Sequence, residues 1–137
     1  LTYLLASQQW QAADGETYKV MLEVANSQKS YLSLEDIQNF PVEELRIIDR
    51  LWVDYSNGHF GFTVQKQIWL DCGGKIGKYD YKAYERFCDR VGWRKNGNWL
   101  SYSDYTFNTN ALQGHLPALV WYVRSRKLEM GLLFFSL

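Results

Sequence analysis

Hydrophobic positions recur at helical spacing through the first two thirds of the chain. From Gln9 to Val24 they fall at Trp10, Ala13, Val20, Met21 and Val24, with Thr17 on the same face, the stripe of an amphipathic helix. Ser33-Leu34-Glu35-Asp36 has the form of a capping box and predicts a short helix. After Phe40, Pro41 suits a first helical position. Val42, Leu45, Ile48, Leu51, Trp52 and Tyr55 then make a second stripe, which Asn57-Gly58 ends with a pair that tolerates the left-handed region. Phe60 to Val64 alternates like a strand, whereas Val64, Ile68 and Trp69 step like a helix. The helical pattern is preferred, from about Thr63 to Cys72, with Gly73-Gly74 as the break. Asp80 predicts the cap of a helix to Val91, with Tyr84, Phe87, Cys88 and Val91 on one face and Gly92 as its stop. Lys66, Lys82 and Arg86 fall on the solvated faces. Leu1 to Ser7 reads as a short turn, and Leu119 to Phe135 as a final helix.

The period is lost between Trp93 and Pro117. This stretch holds Trp93, Trp99, Tyr102, Tyr105 and Phe107, with Asn96-Gly97 predicting a type I′ hairpin. Ser101, Ser103 and Asp104 are turn formers, and Asn108 to Gly114 reads as a loop. The expected fold is mostly α, a single compact helical domain over 1–137 with one long irregular, aromatic-rich loop. The aromatics are either anchors that pin the loop or the lining of a pocket for a flat apolar ligand. Composition alone favours anchors.

The chain has 15 Lys plus Arg against 15 Asp plus Glu. That balance argues against nucleic acid as a partner and against broad electrostatic attachment to membranes. No uncharged apolar run approaches the roughly 20 residues of a spanning helix, and Arg124, Arg126, Lys127 and Glu129 interrupt the apolar C-terminal end. No signal peptide is recognised; the chain opens on Leu1, so a removed leader, transit peptide or flanking domain stays open. Cys72 and Cys88 read as reduced thiols rather than a disulfide, and no Cys/His cluster points to a bound metal.

Signals for catalysis are thin. His59 and His115 lie beside glycines in turns without a nucleophile motif. Asp36, Glu43, Glu44, Asp49 and Asp54 read as first-turn dipole partners and solvated faces. Gly58-His59-Phe60-Gly61 and Gly73-Gly74-Lys75-Ile76-Gly77 both lack the pattern of a phosphate loop. A ligand with carboxylate arms would find cations at Arg94, Lys95, Arg124 and Arg126. Arg124 and Arg126 could equally close the C-terminal end of a helix.

Several long motifs resemble the genomes-uncoupled-four family. They are Leu45-Arg46-Ile47-Ile48-Asp49-Arg50-Leu51-Trp52, the run Tyr55-Ser56-Asn57-Gly58-His59-Phe60-Gly61-Phe62-Thr63-Val64-Gln65-Lys66-Gln67-Ile68-Trp69, the run from Asp89 through Trp93 and Trp99 to Asp104, and Gly114-His115-Leu116-Pro117. They occur in the family's order, and the resemblance covers about Leu4 to Pro117.

The resemblance implies a helical domain with a cupped ligand groove that is not an enzyme and requires no cofactor. Its implied ligand is protoporphyrin IX, Mg-protoporphyrin IX or a linear bilin. The implied partner is the large, porphyrin-binding subunit of magnesium chelatase, which the protein would stimulate in chlorophyll biosynthesis. Cyanobacterial cytoplasm or plastid stroma is the implied location, with peripheral thylakoid association through the partner as a further expectation. The family's mobile loop aligns with Trp93 to Phe107, and a loop tryptophan corresponds to Trp99.

The motif order, rather than the aromatic count, turns the segment from core to site. Trp99 and its neighbours form the expected movable lid, and the expected ligand-binding residues of the segment are Trp93, Trp99, Leu100, Tyr102, Tyr105, Phe107, His115 and Leu116. Covering one macrocycle face with Trp99 and Tyr102 would contribute a few kcal/mol at about 25 cal/mol per Å². Phe40, Phe60, Val64 and Ile68 would form the floor, although each also suits plain core. Arg124 and Arg126 lie where the resemblance places propionate-binding arginines. His115 is expected to be structural rather than an axial metal ligand, since metal-free porphyrin cannot depend on it. Two other readings remain: a non-catalytic interaction module of a larger signalling protein with the same fold, and a small hydrolase using His115 with Ser101 or Ser103.

Overall fold

Asp49 shows how the helices of this chain are joined. It lies on the buried side of α4 (Val42–Tyr55), and its Oδ1 accepts the backbone N–H of Thr63 at 2.9 Å in the first turn of α5 (Phe62–Asp71). That bond satisfies one of the amides a helix start leaves without a partner. Gly61 before it has φ 127°, and a Cβ there would lie 2.6 Å from Val53. The close approach of the two helices therefore requires glycine.

The computed structural model describes residues 1–27 and 29–123. Besides α4 and α5, the helices are α1 (Thr2–Ala6), α2 (Trp10–Val24), α3 (Leu34–Gln38), α6 (Tyr81–Val91) and α7 (Leu119–Val123). A two-stranded hairpin, β1 (Arg94–Lys95) with β2 (Asn98–Trp99), and a single 3₁₀ turn (Tyr102–Asp104) lie between α6 and α7. The fold is mostly helical, as the periodicity predicts. Among the described residues no helix is long and apolar enough to cross a membrane.

Local signals set most of the boundaries. Ser33 and Asp36 close a reciprocal capping box on α3. Asp80 caps α6 by accepting the Ala83 amide, and Gly92 ends it at φ 84°. Four expectations need correction. Asp49 is not on a solvated face: it is 7% exposed and bonds the start of α5. Leu1–Ser7 contains a helix rather than a turn, because Leu5 is buried against its neighbours. Pro41 lies just outside α4, with extended backbone. Arg86 is not merely solvated: its Nε donates to the Cys72 carbonyl at 3.0 Å. Of the expected helix from Leu119 to Phe135, α7 accounts for the first turns, and positions from 124 onward lie outside the described residues.

Two aromatic clusters carry the core. Trp10, Trp52 and Phe60 meet at centroid distances of 5.4 to 6.2 Å. Buried Trp52 donates its indole N–H to Thr17 on α2 at 2.9 Å, which supplies the partner a buried indole needs. The second cluster brings Phe87 of α6 to Trp69, Trp93 and Trp121. Cys72 and Cys88 are buried free thiols, and burial raises the pKa of both.

Candidate functional site

The segment from Trp93 to Pro117 divides into a hairpin and a pinned stretch. Asn96 (φ 53°) and Gly97 (φ 78°) both adopt the positive φ of a type I′ turn. Trp93 is buried beneath the hairpin and donates its indole N–H to the His115 carbonyl at 2.9 Å. Trp99 emerges at the far strand with 49% exposure. Its ring stacks on Tyr84 of α6 at 6.1 Å and 25°. The Arg94 guanidinium lies 5.8 Å from the same ring, and is held by Asp89 at 3.0 Å and Glu85 at 3.4 Å, both on α6. The Nε of Arg94 is buried with no hydrogen-bond partner among the described residues.

From Tyr102 onward the chain is fastened by buried polar groups. Tyr102 donates its hydroxyl to Asp14 of α2 at 2.5 Å. The same carboxylate accepts the amides of Ala118 at 2.8 Å and Leu119 at 3.1 Å. Asp14 is 1% exposed. Burial pushes its pKa up to about 6, against the lowering effect of those three hydrogen bonds.

His115 is the second fastening. Its Nδ1 lies 2.7 Å from the Val91 carbonyl, which can only accept, so Nδ1 carries the proton. Nε2 is then the acceptor of the Thr106 amide at 3.1 Å. Burial lowers the pKa of His115, with the Val91 carbonyl opposing, so the ring is neutral at pH 7. The third is His59, whose Nε2 donates to the Ala111 carbonyl at 2.6 Å. Gln65 of α5 completes the set. Its amide N–H₂ donates to the carbonyls of Gly114 at 3.0 Å and Pro117 at 2.8 Å, and its oxygen accepts from the Trp121 indole at 3.1 Å. The Leu116–Pro117 peptide is cis.

These positions redistribute the sequence-predicted site. Phe40, Phe60, Ile68, Trp93 and Leu116 are closed into the core, and Val64 is half-buried. The five buried side chains present almost no surface to a ligand as they are packed. Tyr102, Tyr105 and Phe107 form a half-buried cluster, with Tyr102 5.4 Å from Tyr105 and 5.2 Å from Phe107. An open groove of about 620 Å³ beside the hairpin is lined by Leu100, His115, Arg94, Lys95 and Asp104 among others. A second concavity of about 540 Å³ takes in Phe107, Trp10 and Gln8. Arg124 and Arg126 lie outside the described residues.

Both ring nitrogens of His115 are engaged, which leaves no lone pair for a metal or a serine. Ser101 is spoken for as well, donating to Asp104 at 2.7 Å. Sequence reasoning missed Asp14, Gln65 and Tyr84. The available signal for the first two was a polar residue falling on the apolar face of a predicted helix.

A helical scaffold carrying a pinned aromatic segment and an exposed tryptophan hairpin defines the class of protein. The chain belongs to the GUN4-like family, whose model matches residues 1–133; GUN4 abbreviates the genomes-uncoupled-four of the resemblance. The Ycf53-like protein of Synechocystis sp. is 34% identical over 119 residues, 84% of this chain and 48% of that protein. The chloroplastic tetrapyrrole-binding protein of Arabidopsis thaliana is 28% identical over 126 residues, 82% of this chain and 44% of that protein. This chain thus spans about half the length of the curated relatives it matches. The ligand-free structure of Arabidopsis thaliana GUN4 superposes with a TM-score of 0.78 at 26% identity, covering 96% of this chain and 90% of that one. GUN4 from Chlamydomonas reinhardtii shares the fold, with a TM-score of 0.77 at 20% identity over 98% of this chain and 83% of that one.

Proposed function

We propose that residues 1–137 form a non-enzymatic tetrapyrrole-binding unit that takes protoporphyrin IX, Mg-protoporphyrin IX or a linear bilin. The observation that carries this is kinship with a protein named for tetrapyrrole binding across 82% of the chain. The aromatic hairpin agrees with it. The exposed face of Trp99 offers a flat apolar surface, and Tyr102, Tyr105 and Phe107 offer a second, half-buried aromatic cluster. Flat apolar surface with a few placed polar groups is what a macrocycle requires. Arg94 and Lys95 form the first strand of the hairpin and line the groove beside it, where they can meet propionates. His115 serves as a fastening of the segment, so the ligand is held by its faces and arms rather than through a bond from His115 to its metal.

In the same proposal the pigment-loaded protein stimulates magnesium chelatase through its large subunit. Its place is the cyanobacterial cytoplasm or the plastid stroma, in keeping with relatives from Synechocystis and a chloroplastic protein. Binding is tested by titrating protoporphyrin IX and following its absorption band. Saturation at micromolar protein is expected, and Trp99→Ala should weaken it about tenfold or more. Tyr3→Ala, at a ring that is 73% exposed, should leave it unchanged. Absence of saturable binding would leave the interaction-module reading in its place. A rise in chelatase turnover at low magnesium on adding the loaded protein tests the second step.

A further inference from the structure

Asp14, Tyr102 and the start of α7 meet at one point although 88 and 104 residues of chain separate them. The two oxygens of the carboxylate are divided between them. Oδ1 takes the Ala118 amide, and Oδ2 takes both the Leu119 amide and the Tyr102 hydroxyl. Three donors converge on a group that is an acceptor only, which an asparagine could not reproduce because its N–H₂ would face an N–H. The position is almost sealed from water, and a charge there is an expensive choice where stability alone is at stake. Tyr102 is in turn packed against Tyr105 and Phe107, and Tyr105 lies 5.0 Å from His115. A ligand pressing on the aromatic cluster therefore pushes on the hydroxyl that shares Oδ2 with the first turn of α7.

We propose that Asp14 is the positioning residue of the site, a single carboxylate that couples the aromatic segment to α7 so that the two respond to ligand as one unit. The proposal rests on the tetrapyrrole reading for its ligand, while the coupling itself stands on the geometry. Asp14 is a positioning residue that does not itself contact the ligand and acts through Tyr102.

The test compares the full chain with Tyr102→Phe, Asp14→Asn and the double variant. Tyr102→Phe removes one oxygen and keeps the ring, so it carries the test even where Asp14→Asn folds poorly. In ligand-free protein, Tyr102→Phe should speed hydrogen exchange at the amides of Ala118 and Leu119, to which Tyr102 is not bonded. With protoporphyrin IX as probe, each single variant should speed pigment release about tenfold, the usual effect of losing a charge-assisted hydrogen bond. The double variant should release no faster than the faster single, because both changes break the same link. Unchanged exchange at Ala118 and Leu119 in Tyr102→Phe overturns the coupling, as do release rates that multiply in the double variant. If the unaltered chain binds no protoporphyrin, the tetrapyrrole reading fails, and the exchange measurement alone decides the coupling.

Discussion

Acid should strengthen this protein relative to a variant lacking the Asp14 carboxylate, which is the reverse of the usual aspartate effect. Burial raises the Asp14 pKa from 3.8 to about 6. The folded state therefore holds this proton more tightly than the unfolded chain, and protonation favours folding. The contribution is fully present below about pH 4 and is lost as the pH rises through about 6. At about 1.4 kcal/mol per pH unit, the rise corresponds to about 3 kcal/mol. The perturbation is Asp14→Asn, and the assay is urea unfolding of both proteins at a series of pH values from about 4 to about 7.5. The difference in stability between them cancels the titration of every other group that is independent of Asp14. It should shift by about 3 kcal/mol in favour of the native sequence as the pH falls across that window. A difference that stays flat, or that moves the other way, would refute the reasoning. It would mean that the bonds from Tyr102, Ala118 and Leu119 outweigh the loss of water.

Two further substitutions probe the fastening of the segment. Gln65→Leu should cost about 3 kcal/mol or more, since it strands the carbonyls of Gly114 and Pro117 and the Trp121 indole at about 1–3 kcal/mol each; a shift in urea midpoint worth less than about 1 kcal/mol would show that these groups find other partners. Gly114→Ala should destabilise by about 1–3 kcal/mol, because φ is +79° and the new Cβ would lie 2.7 Å from Ile68. Gly97→Ala has a similar φ but open space around it, so it should cost only about 1 kcal/mol, and equal melting temperatures for the two variants would contradict the steric argument.

The elements legible in the sequence are those fixed by neighbours a few positions apart. Ser33 with Asp36, Asp80 with Ala83, Gly92, and Asn96 with Gly97 each act within one turn of chain, and each is found where the sequence places it. α1 was not legible, because its five residues are helical for the sake of burying Leu5 against elements elsewhere. The site was legible as a segment but not as a geometry. Nothing near Tyr102 in sequence announces Asp14, and nothing near Gly114 announces Gln65. Trp93 and Trp99 look alike in sequence, six residues apart across a hairpin, yet one is in the core and the other half in water. The side to which each aromatic turns is decided by which distant helix the hairpin lies against.

The exposure of Trp99 gives the protein a built-in reporter. Trp10, Trp52, Trp69, Trp93 and Trp121 are each 6% exposed or less, while Trp99 is 49% exposed. A charged quencher such as iodide, which stays in water, should extinguish the red-shifted part of the emission that comes from Trp99 and spare the remainder. The environment of the hairpin can thus be followed by light in the unmodified chain, without a label, while the five interior indoles serve as the internal standard.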